Sequence, residues 1–308
     1  MTTIGFLGLG RMGAPMAGNL LKAGHEVLVH DVSAEAVAAL VAQGAKAAGS
    51  AAALGAQCAV VFTSLPTPAI VREAVLGADG ICSAGKPAIL CDLSTSGPQL
   101  AVELAAALPE VACFDAPVSG GIAGAVAGTI SIMVGGPSTE YEASLRLLLE
   151  AIGKPFYMGE TPGAGQTMKL VNNLLGAVAI GVTAEGMAFG IKQGLDPAKM
   201  IAVLNQSTGI NSATRDKWPK SVLPRTFDFG FAAALSLKDT KLLMDEAEAA
   251  GVPLPLGRIV QDYLERTLAR EGPQADFTAI AKVVEEAAGL DPEREMKAPE
   301  AAQTSIRS

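Results

Sequence analysis

Two groups of residues have the types and spacing needed for chemistry on a small molecule. One is the glycine-rich turn at residues 8–13 (GLGRMG), and the other is Lys169 with Asn173 four positions later. Glycines at this spacing suit a phosphate-bearing ligand, because backbone N–H groups can approach the phosphates without side-chain cover. Residues i and i+4 of a helix share one face, so the lysine amine and the asparagine amide predict a second polar site.

Over most of the chain, proton transfer must use a group other than imidazole. The two histidines, His25 and His30, both lie in the first 30 residues. Lys169 stands between Met168 and Leu170, and an apolar setting would lower its pKa toward neutral pH, where a general acid/base works best. The alternative interpretation is a solvated lysine on a helix surface.

Composition limits the classes of partner and the compartment. Asp and Glu outnumber Lys and Arg by 31 to 23, and aromatic residues make up 4%. This balance argues against nucleic acid and against an anionic membrane as partners. The four cysteines form no CxxC pair, so they predict reduced thiols in a cytoplasmic protein and no metal site. No signal peptide is expected, and residues 170–191, which include two asparagines and a glutamate, predict a buried helix.

The apolar pattern predicts two domains. Strands are predicted at residues 4–7, 27–30, 59–63, 88–91, 111–114 and 130–134, with helical periodicity between them. Near-continuous apolar strands alternating with helices are typical of a doubly wound, mostly parallel sheet, the α/β Rossmann fold. Helices are then predicted at residues 166–193, 196–206, 236–250, 256–270 and 276–288. The prediction is thus a Rossmann domain over 1–162, an all-α domain over 163–290 joined by the long helix, and a polar tail over 291–308. The tail is expected to be mobile or to lie across a partner subunit.

The glycine turn directly follows the first predicted strand and opens a helix, which is the context that dinucleotide binding requires. Asp31 ends the second strand, 18 residues after Gly13. Its carboxylate would accept hydrogen bonds from an adenosine ribose and repel a 2′-phosphate, which favours NAD over NADP. The alternative is a glycine-rich turn without a ligand, with Asp31 as a helix cap.

Three later loops also follow predicted strands. Leu65-Pro66 and Thr95 stand at carboxyl ends of parallel strands, where ligands of this fold bind. The alternative interpretation of these two loops is a helix N-cap. Ser119-Gly120-Gly121 presents a hydroxyl and two N–H groups with little steric cover, which suits a carboxylate, although an ordinary turn has the same composition.

These motifs, in this order, resemble the β-hydroxyacid dehydrogenase family, in particular the 3-hydroxyisobutyrate dehydrogenase group. The resemblance rests on the glycine turn, DAPVSGG at 115–121, GAGQTMKLVNN at 163–173 and a segment at 231–243 with Lys238-Asp239, and covers about residues 3–288. It implies NAD(P)-dependent oxidation of a small 3-hydroxy acid, or reduction of its semialdehyde, by a homodimer or homotetramer.

The resemblance also assigns roles to individual residues. It implies that Lys169 is the catalytic general acid/base. The substrate-binding residues it implies are Ser119, Gly120, Gly121, Asn173 and Lys238. The cofactor-binding residues are Gly8, Leu9, Gly10, Arg11, Met12, Gly13, Asp31, Leu65, Pro66, Thr95 and Lys238.

The distal side of the pocket decides the substrate, and the sequence leaves it open. The candidate residues there are Ile122, Ala123, Arg11, Met12 and the segment 209–219, which holds the single tryptophan. That segment departs from the usual 3-hydroxyisobutyrate pattern and is similar to members acting on polar or anionic aldehydes, such as the sulfolactaldehyde reductase branch. Ile122, however, stands where a sulfonate would call for an arginine. Tartronate semialdehyde remains open as a substrate. Methylmalonate semialdehyde, L-serine and hydroxymethylglutarate-type substrates also remain open. A non-catalytic dinucleotide-binding module on the same fold would be expected to lack Lys169.

Overall fold

The computed structural model describes residues 3–293, which form two compact units that divide between Leu170 and Val171. The division falls inside one long helix. Residues 294–308, most of the predicted polar tail, lie outside the described residues.

The first unit is built on a nine-stranded sheet. The strands are β1 (Ile4–Leu7), β2 (Val27–His30), β3 (Lys46–Ala47), β4 (Val60–Thr63), β5 (Ile89–Asp92), β6 (Ala112–Asp115), β7 (Val118–Ser119), β8 (Ile130–Gly135) and β9 (Gly153–Gly159). Their order is β3-β2-β1-β4-β5-β6-β8-β7, with β9 paired to β8. The first six are parallel, and β8 runs antiparallel to β6 and β7. The predicted Rossmann fold is confirmed.

The helices of this unit connect the strands across both faces of the sheet. They are α1 (Gly13–Lys22), α2 (Ala34–Val41), α3 (Ala51–Gln57), α4 (Pro68–Leu76), α5 (Pro98–Ala107), α6 (Gly121–Ala127), α7 (Ser138–Glu140) and α8 (Arg146–Glu150), with a π-helical turn at Tyr141–Leu145. Ser33, Ser50 and Thr67 cap α2, α3 and α4 with their hydroxyls, which satisfies N–H groups that have no partner within the helix.

The reversal of strand order at β1 fixes where a ligand can bind. Strand β1 pairs with β2 on one side and β4 on the other, so the chain moves outward in both directions from β1. Open α/β sheets bind ligands in the crevice beyond the carboxyl ends of the strands at this point. The turn at residues 8–13 lies there.

The second unit is helical. The long helix α9 (Ala164–Lys192) runs into it, and the later elements are α10 (Pro197–Leu204), a π-helix (Ala213–Val222), α11 (Ala233–Ala249), α12 (Pro255–Glu271), a 3-10 turn (Phe277–Ala279) and α13 (Ile280–Ala287). Its core includes the buried side chains of Ile180, Trp218, Leu264 and Ile280. Asp196 caps α10 through the N–H of Lys199, and Pro197 follows at the first helical position.

One property of α9 concerns membranes. Among the described residues, α9 is the one helix long and apolar enough to cross a membrane, by length and composition only. Within its most apolar stretch, 44% of the residues are buried in the fold. The core helix of a soluble protein passes the same test.

Candidate functional site

The glycine turn has two crowded positions and one open position. Gly8 has φ +94°, and a Cβ on it would lie 2.3 Å from the carbonyl oxygen of Ser64. A Cβ on Gly13 would lie 1.9 Å from the carbonyl oxygen of Gly8. A Cβ on Gly10 would meet nothing within 4 Å. The outer glycines therefore allow the chain to pack, while the space over Gly10 is what a pyrophosphate needs at the start of α1. The residues present fit a dinucleotide.

The Asp31 carboxylate is tied to this turn. Its Oδ2 accepts from the N–H of Leu9 at 2.6 Å, and its Oδ1 accepts from the N–H of Ser33 at 2.7 Å. Asp31 therefore fixes the glycine turn against the end of β2. Each carboxylate oxygen has a second lone pair, so the group can still accept from a ribose hydroxyl. The next residue, Val32, is fully exposed.

The loops after β4 and β5 are joined to each other. The N–H of Leu65 donates to the Ser94 hydroxyl at 2.8 Å, and the Thr63 hydroxyl donates to Asp92 Oδ1 at 2.7 Å. Thr95 lies half-buried in the second loop, and Pro66 is exposed in the first. The structure thus brings the predicted contacts Leu65, Pro66 and Thr95 to one edge of the sheet.

Asp92 is a buried carboxylate that the sequence reasoning did not single out. Besides Thr63, it accepts from the Ser94 N–H at 3.0 Å and from the Ser96 hydroxyl at 2.6 Å. Burial raises its pKa, and the hydrogen bonds from Ser94, Ser96 and Thr63 oppose that rise. Asp92 organises the residues on either side of Thr95.

Gln166, in the first turn of α9, is a second residue that sequence reasoning missed. Its side chain is fully buried. Its Oε1 accepts from the N–H groups of Ser96 and Gly97 at 3.0 and 3.1 Å, and its Nε2 donates to the Ser94 carbonyl and the Ser96 hydroxyl at 2.8 and 3.0 Å. The signal was present, because a polar residue directly after Gly163-Ala164-Gly165 stands at a helix start.

Asp115 holds the backbone of the same helix start. Its two oxygens accept from the N–H groups of Gly163 and Gln166 at 2.8 and 2.7 Å. Burial raises the pKa of Asp115 to about 7, and the charge of Asp92 adds to the rise. A Cβ on Gly165 would lie 2.1 Å from the Met133 carbonyl oxygen, so this turn of helix packs directly on the sheet.

Ser119, Gly120 and Gly121 form a sharp corner between β7 and α6. Ser119 pairs with Ser131 across the antiparallel β7–β8 ladder. Gly120 has φ +140°, and a Cβ there would come within 3.2 Å of the Ile130 Cα, while Gly121 has φ +67° and open space. The hydroxyl and the N–H groups predicted for a carboxylate thus lie at a corner that only glycine can turn.

Lys169 is buried, with 8% of its surface exposed, and lies on α9 three residues after Gln166. The flanking Met168 is partly exposed and Leu170 is buried. Lys169 is therefore not a solvated lysine on a helix surface. The lowered pKa remains a prediction.

In the second unit, a carboxylate joins two predicted substrate residues. The Asn173 amide donates to Asp239 Oδ2 at 2.7 Å, and Lys238 Nζ lies 3.0 Å from Asp239 Oδ1. Asp239 is buried, at 4% exposure. Asp239 is not among the predicted substrate-binding residues, whereas the structure makes it the link between α9 and α11.

The segment at residues 209–219 contains a second buried lysine. Lys217 lies in the π-helix, where its ammonium donates to the Ser212 hydroxyl at 3.0 Å and faces the rings of Phe229 and Phe277 at 5.4 and 5.8 Å. Burial lowers the pKa of Lys217. No helix is predicted between residues 206 and 236, whereas the structure has a π-helix at Ala213–Val222.

Over residues 3–293, no group of His, Cys, Asp and Glu side chains could hold a metal ion. The four cysteines, Cys58, Cys82, Cys91 and Cys113, are free thiols. Burial raises the pKa of each, so none is an activated nucleophile.

Two family models together match nearly all of the described chain. Residues 3–159 match the NAD binding domain of 6-phosphogluconate dehydrogenase. Residues 163–284 match the NAD-binding domain of NADP-dependent 3-hydroxyisobutyrate dehydrogenase.

Curated relatives and solved structures agree with these models. The chain is 42% identical to 3-hydroxyisobutyrate dehydrogenase of Pseudomonas aeruginosa, over 92% of this chain and 98% of the relative. It is 39% identical to the NAD-dependent L-serine dehydrogenase of the same organism, over 94% and 100%. The structure of Mycobacterium tuberculosis 3-hydroxyisobutyrate dehydrogenase with L-serine superimposes with a TM-score of 0.85 at 35% identity, over 92% of this chain and 99% of that one.

Proposed function

The chain belongs to the β-hydroxyacid dehydrogenase family of NAD(P)-dependent oxidoreductases acting on CH–OH donors, and from that premise we propose a specific reaction. The substrate is a small 3-hydroxy acid of the 3-hydroxyisobutyrate kind, which is oxidised to its semialdehyde, and Lys169 is the general acid/base. The observation that carries the proposal is a buried lysine on the helix that also bears Asn173, in a chain whose histidines lie elsewhere.

The chemistry separates a hydride from a proton. A bound nicotinamide dinucleotide would supply the hydride-transfer chemistry at the carbinol carbon. Lys169 Nζ takes the hydroxyl proton as the C–O bond becomes a carbonyl, and in reduction its ammonium gives that proton back. An amine on a buried helix turn suits this task, because desolvation brings a lysine pKa toward the working pH.

Three further groups hold the substrate. We assign its carboxylate to the Ser119 hydroxyl and the N–H groups of Gly120 and Gly121. Asn173 orients the hydroxyl, and Asp239 fixes the Asn173 amide through the 2.7 Å hydrogen bond. Lys238, paired with Asp239, supplies positive charge for an anionic substrate or the cofactor. Orientation of this kind lowers the barrier by holding the reacting atoms in line.

The cofactor is NAD in preference to NADP. Gly8, Leu9, Gly10, Arg11, Met12 and Gly13 would cover the pyrophosphate, and Asp31 the adenosine ribose. A 2′-phosphate would meet the Asp31 carboxylate, and Val32 offers no positive charge to compensate. The L-serine dehydrogenase relative, named as NAD-dependent, supports this preference.

The enzyme acts as a homodimer or homotetramer in the cytoplasm. An apolar stripe on α9 supports self-association: Val171, Leu175, Val182 and Phe189 are 41%, 64%, 55% and 70% exposed. Their four- and seven-residue spacing places them along one side of the helix. The molar mass from light scattering tests this, since a monomer at micromolar concentration would contradict it.

L-serine is the second candidate substrate. Like 3-hydroxyisobutyrate, L-serine has a carboxylate at C1 and a primary alcohol at C3. One relative is named as an L-serine dehydrogenase, and the solved structure with a TM-score of 0.85 contains L-serine. An ammonium group at C2 then replaces the methyl group of 3-hydroxyisobutyrate.

A substrate panel with both cofactors tests the proposed reaction. Purified protein is assayed with 3-hydroxyisobutyrate, L-serine and 2-(hydroxymethyl)glutarate in oxidation, and with tartronate semialdehyde and sulfolactaldehyde in reduction. The proposal expects the highest kcat/KM with 3-hydroxyisobutyrate and NAD. If kcat/KM is higher with either aldehyde than with every hydroxy acid, the proposed substrate is wrong.

A further inference from the structure

We propose that Gln166 is a positioning residue for the proton carrier: it locks the first turn of α9, and with it Lys169, to the loop that holds Thr95. The inference rests on the proposed function, since it concerns the placement of the residue assigned to proton transfer against a loop assigned to the cofactor. Gln166 itself belongs to neither group.

The first argument is the completeness of its hydrogen bonds. The Oε1 atom accepts two bonds and Nε2 donates two, all to residues 94–97 and all between 2.8 and 3.1 Å. A primary amide has two donor hydrogens and two acceptor lone pairs, so its capacity is used in full. Such a side chain has a single orientation, and the helix turn that carries it is fixed with it.

The second argument is that the loop end is fixed independently. Asp92 accepts from the Ser94 N–H and the Ser96 hydroxyl, and Ser94 in turn accepts from the Leu65 N–H at 2.8 Å. The loop around Thr95 is therefore held on its sheet side by Asp92 and on its helix side by Gln166. Asp115 holds the backbone of the same helix turn through the N–H of Gly163 and of Gln166.

The third argument is distance along the helix. Lys169 follows Gln166 by three residues, which is close to one turn, so a shift of Gln166 moves the lysine by a comparable amount. Proton transfer needs a heavy-atom separation of about 2.6–3.2 Å, and a displacement of about 1 Å costs on the order of 100-fold in rate. Burial makes the lock strong, because an unpaired amide or backbone N–H has no water to replace its partner.

Two variants of Gln166 separate a positioning role from a purely structural one. Gln166→Met keeps the length of the side chain and removes all four hydrogen bonds. Gln166→Glu keeps the acceptor for Ser96 and Gly97 but loses the donor while it is ionised. The matched control is Thr167→Val, which removes a 2.8 Å hydrogen bond to the Gly163 carbonyl in the same turn and leaves residues 94–97 untouched.

The steady-state measurement uses the hydroxy acid that the wild type oxidises fastest in the panel, with NAD. For Gln166→Met we expect kcat to fall by roughly 100-fold, with KM and the NAD dissociation constant within about threefold of wild type. The kinetic isotope effect from deuterium on the carbinol carbon should rise, because the chemical step becomes rate-limiting. Thr167→Val should keep kcat within about threefold. If the isotope effect stays unchanged and kcat falls only with the fraction of folded protein, Gln166 is structural and the proposal is wrong.

The pH dependence of Gln166→Glu is a second measurement, which a purely structural role of Gln166 would leave unchanged. A protonated glutamic acid regains a donor toward the Ser94 carbonyl or the Ser96 hydroxyl. The ratio of its kcat to that of wild type, in the reduction direction, should therefore rise as pH falls from about 8 to about 6. Two carboxylates lie near the side chain at position 166. Asp92 accepts hydrogen bonds from Ser94 and Ser96, and Asp115 accepts one from the backbone N–H of residue 166. Both are present in the wild type, so the ratio of the two kcat values reports the new carboxyl group. A ratio that does not change with pH contradicts the proposal. If instead Lys169→Ala retains activity, the proposed function itself has failed, whatever the Gln166 variants do.

Discussion

The side-chain amide of Asn173 donates a 2.7 Å hydrogen bond to Asp239, a carboxylate that also pairs with its neighbour Lys238 at 3.0 Å. The bond joins α9 to α11. Asn173 and Lys238 are predicted substrate-binding residues, whereas Asp239 is not. The orientation of the Asn173 amide therefore depends on a residue 66 positions away.

Replacing Asp239 should therefore weaken substrate binding. A hydrogen bond to a charged acceptor contributes about 1.5–3 kcal/mol, and Asp239→Asn exchanges it for a weaker one while keeping the shape of the side chain. We expect KM for the hydroxy acid to rise by roughly tenfold, which corresponds to about 1.4 kcal/mol. The control is Asp245→Asn, an exposed position on the same helix. A KM unchanged in Asp239→Asn would mean that Asn173 does not depend on this carboxylate.

The glycine turn offers two substitutions with opposite consequences. Gly10→Ala adds a Cβ in open space, so thermal stability should change little while the dissociation constant for NAD rises by about tenfold or more. Gly13→Ala places a Cβ 1.9 Å from the Gly8 carbonyl oxygen, so it should lower the melting temperature by several degrees. Calorimetry and a binding titration on both variants check the pair. Equal loss of stability in the two would contradict the separation of roles.

Cofactor preference tests Asp31. Its carboxylate should disfavour a 2′-phosphate, so kcat/KM with NAD should exceed that with NADP by about tenfold or more. Asp31→Asn combined with Val32→Arg removes the negative charge and adds a phosphate partner, and should reverse the order. An NADP preference in the wild type would overturn the assignment.

Stability should depend on pH through Asp115. Its pKa is raised from 3.8 to about 7, so between these values the folded chain keeps a proton that the unfolded chain releases. The free energy of unfolding therefore falls as pH rises through this window, by up to about 1.4 kcal/mol per pH unit for one proton. Asp115→Asn should flatten the dependence between about pH 4 and 7, measured by urea unfolding. Asp92 is present in both proteins, so the difference reports Asp115. Parallel curves for the two would contradict the raised pKa.

The sequence predicted the doubly wound sheet because its strands are short, almost wholly apolar and separated by helical periodicity. It missed β3, β7 and β9. Two of these have only two residues, and β9 alternates buried Gly153 with exposed Lys154 at a sheet edge. It also missed the π-helix at Ala213–Val222, whose polar composition and internal Pro219 argue against a helix until its tertiary contacts are known.

The residues of the candidate site could also be predicted only in part. Residues next to a glycine pattern or a strand end, such as Asp31 and Lys169, could be named from local context. Asp92, Gln166 and Asp239 were not named. The helix start gave a local signal for Gln166, but each of the three also has a partner that is distant in sequence. Gln166, for example, bonds to Ser96 across 70 residues. Single-sequence patterns carry no information about such pairs, which only the fold brings together.

The most direct test of the proposed chemistry is the turnover of Lys169→Ala compared with its affinity for NAD. The control is Lys192→Ala, an exposed lysine in the last turn of the same helix. If Lys169 carries the proton, Lys169→Ala should lose activity by at least about 100-fold while its NAD dissociation constant stays within about threefold of wild type. An added primary amine such as methylamine should restore part of the rate, and Lys192→Ala should keep the full rate. Turnover near the wild-type level in Lys169→Ala would contradict the central claim.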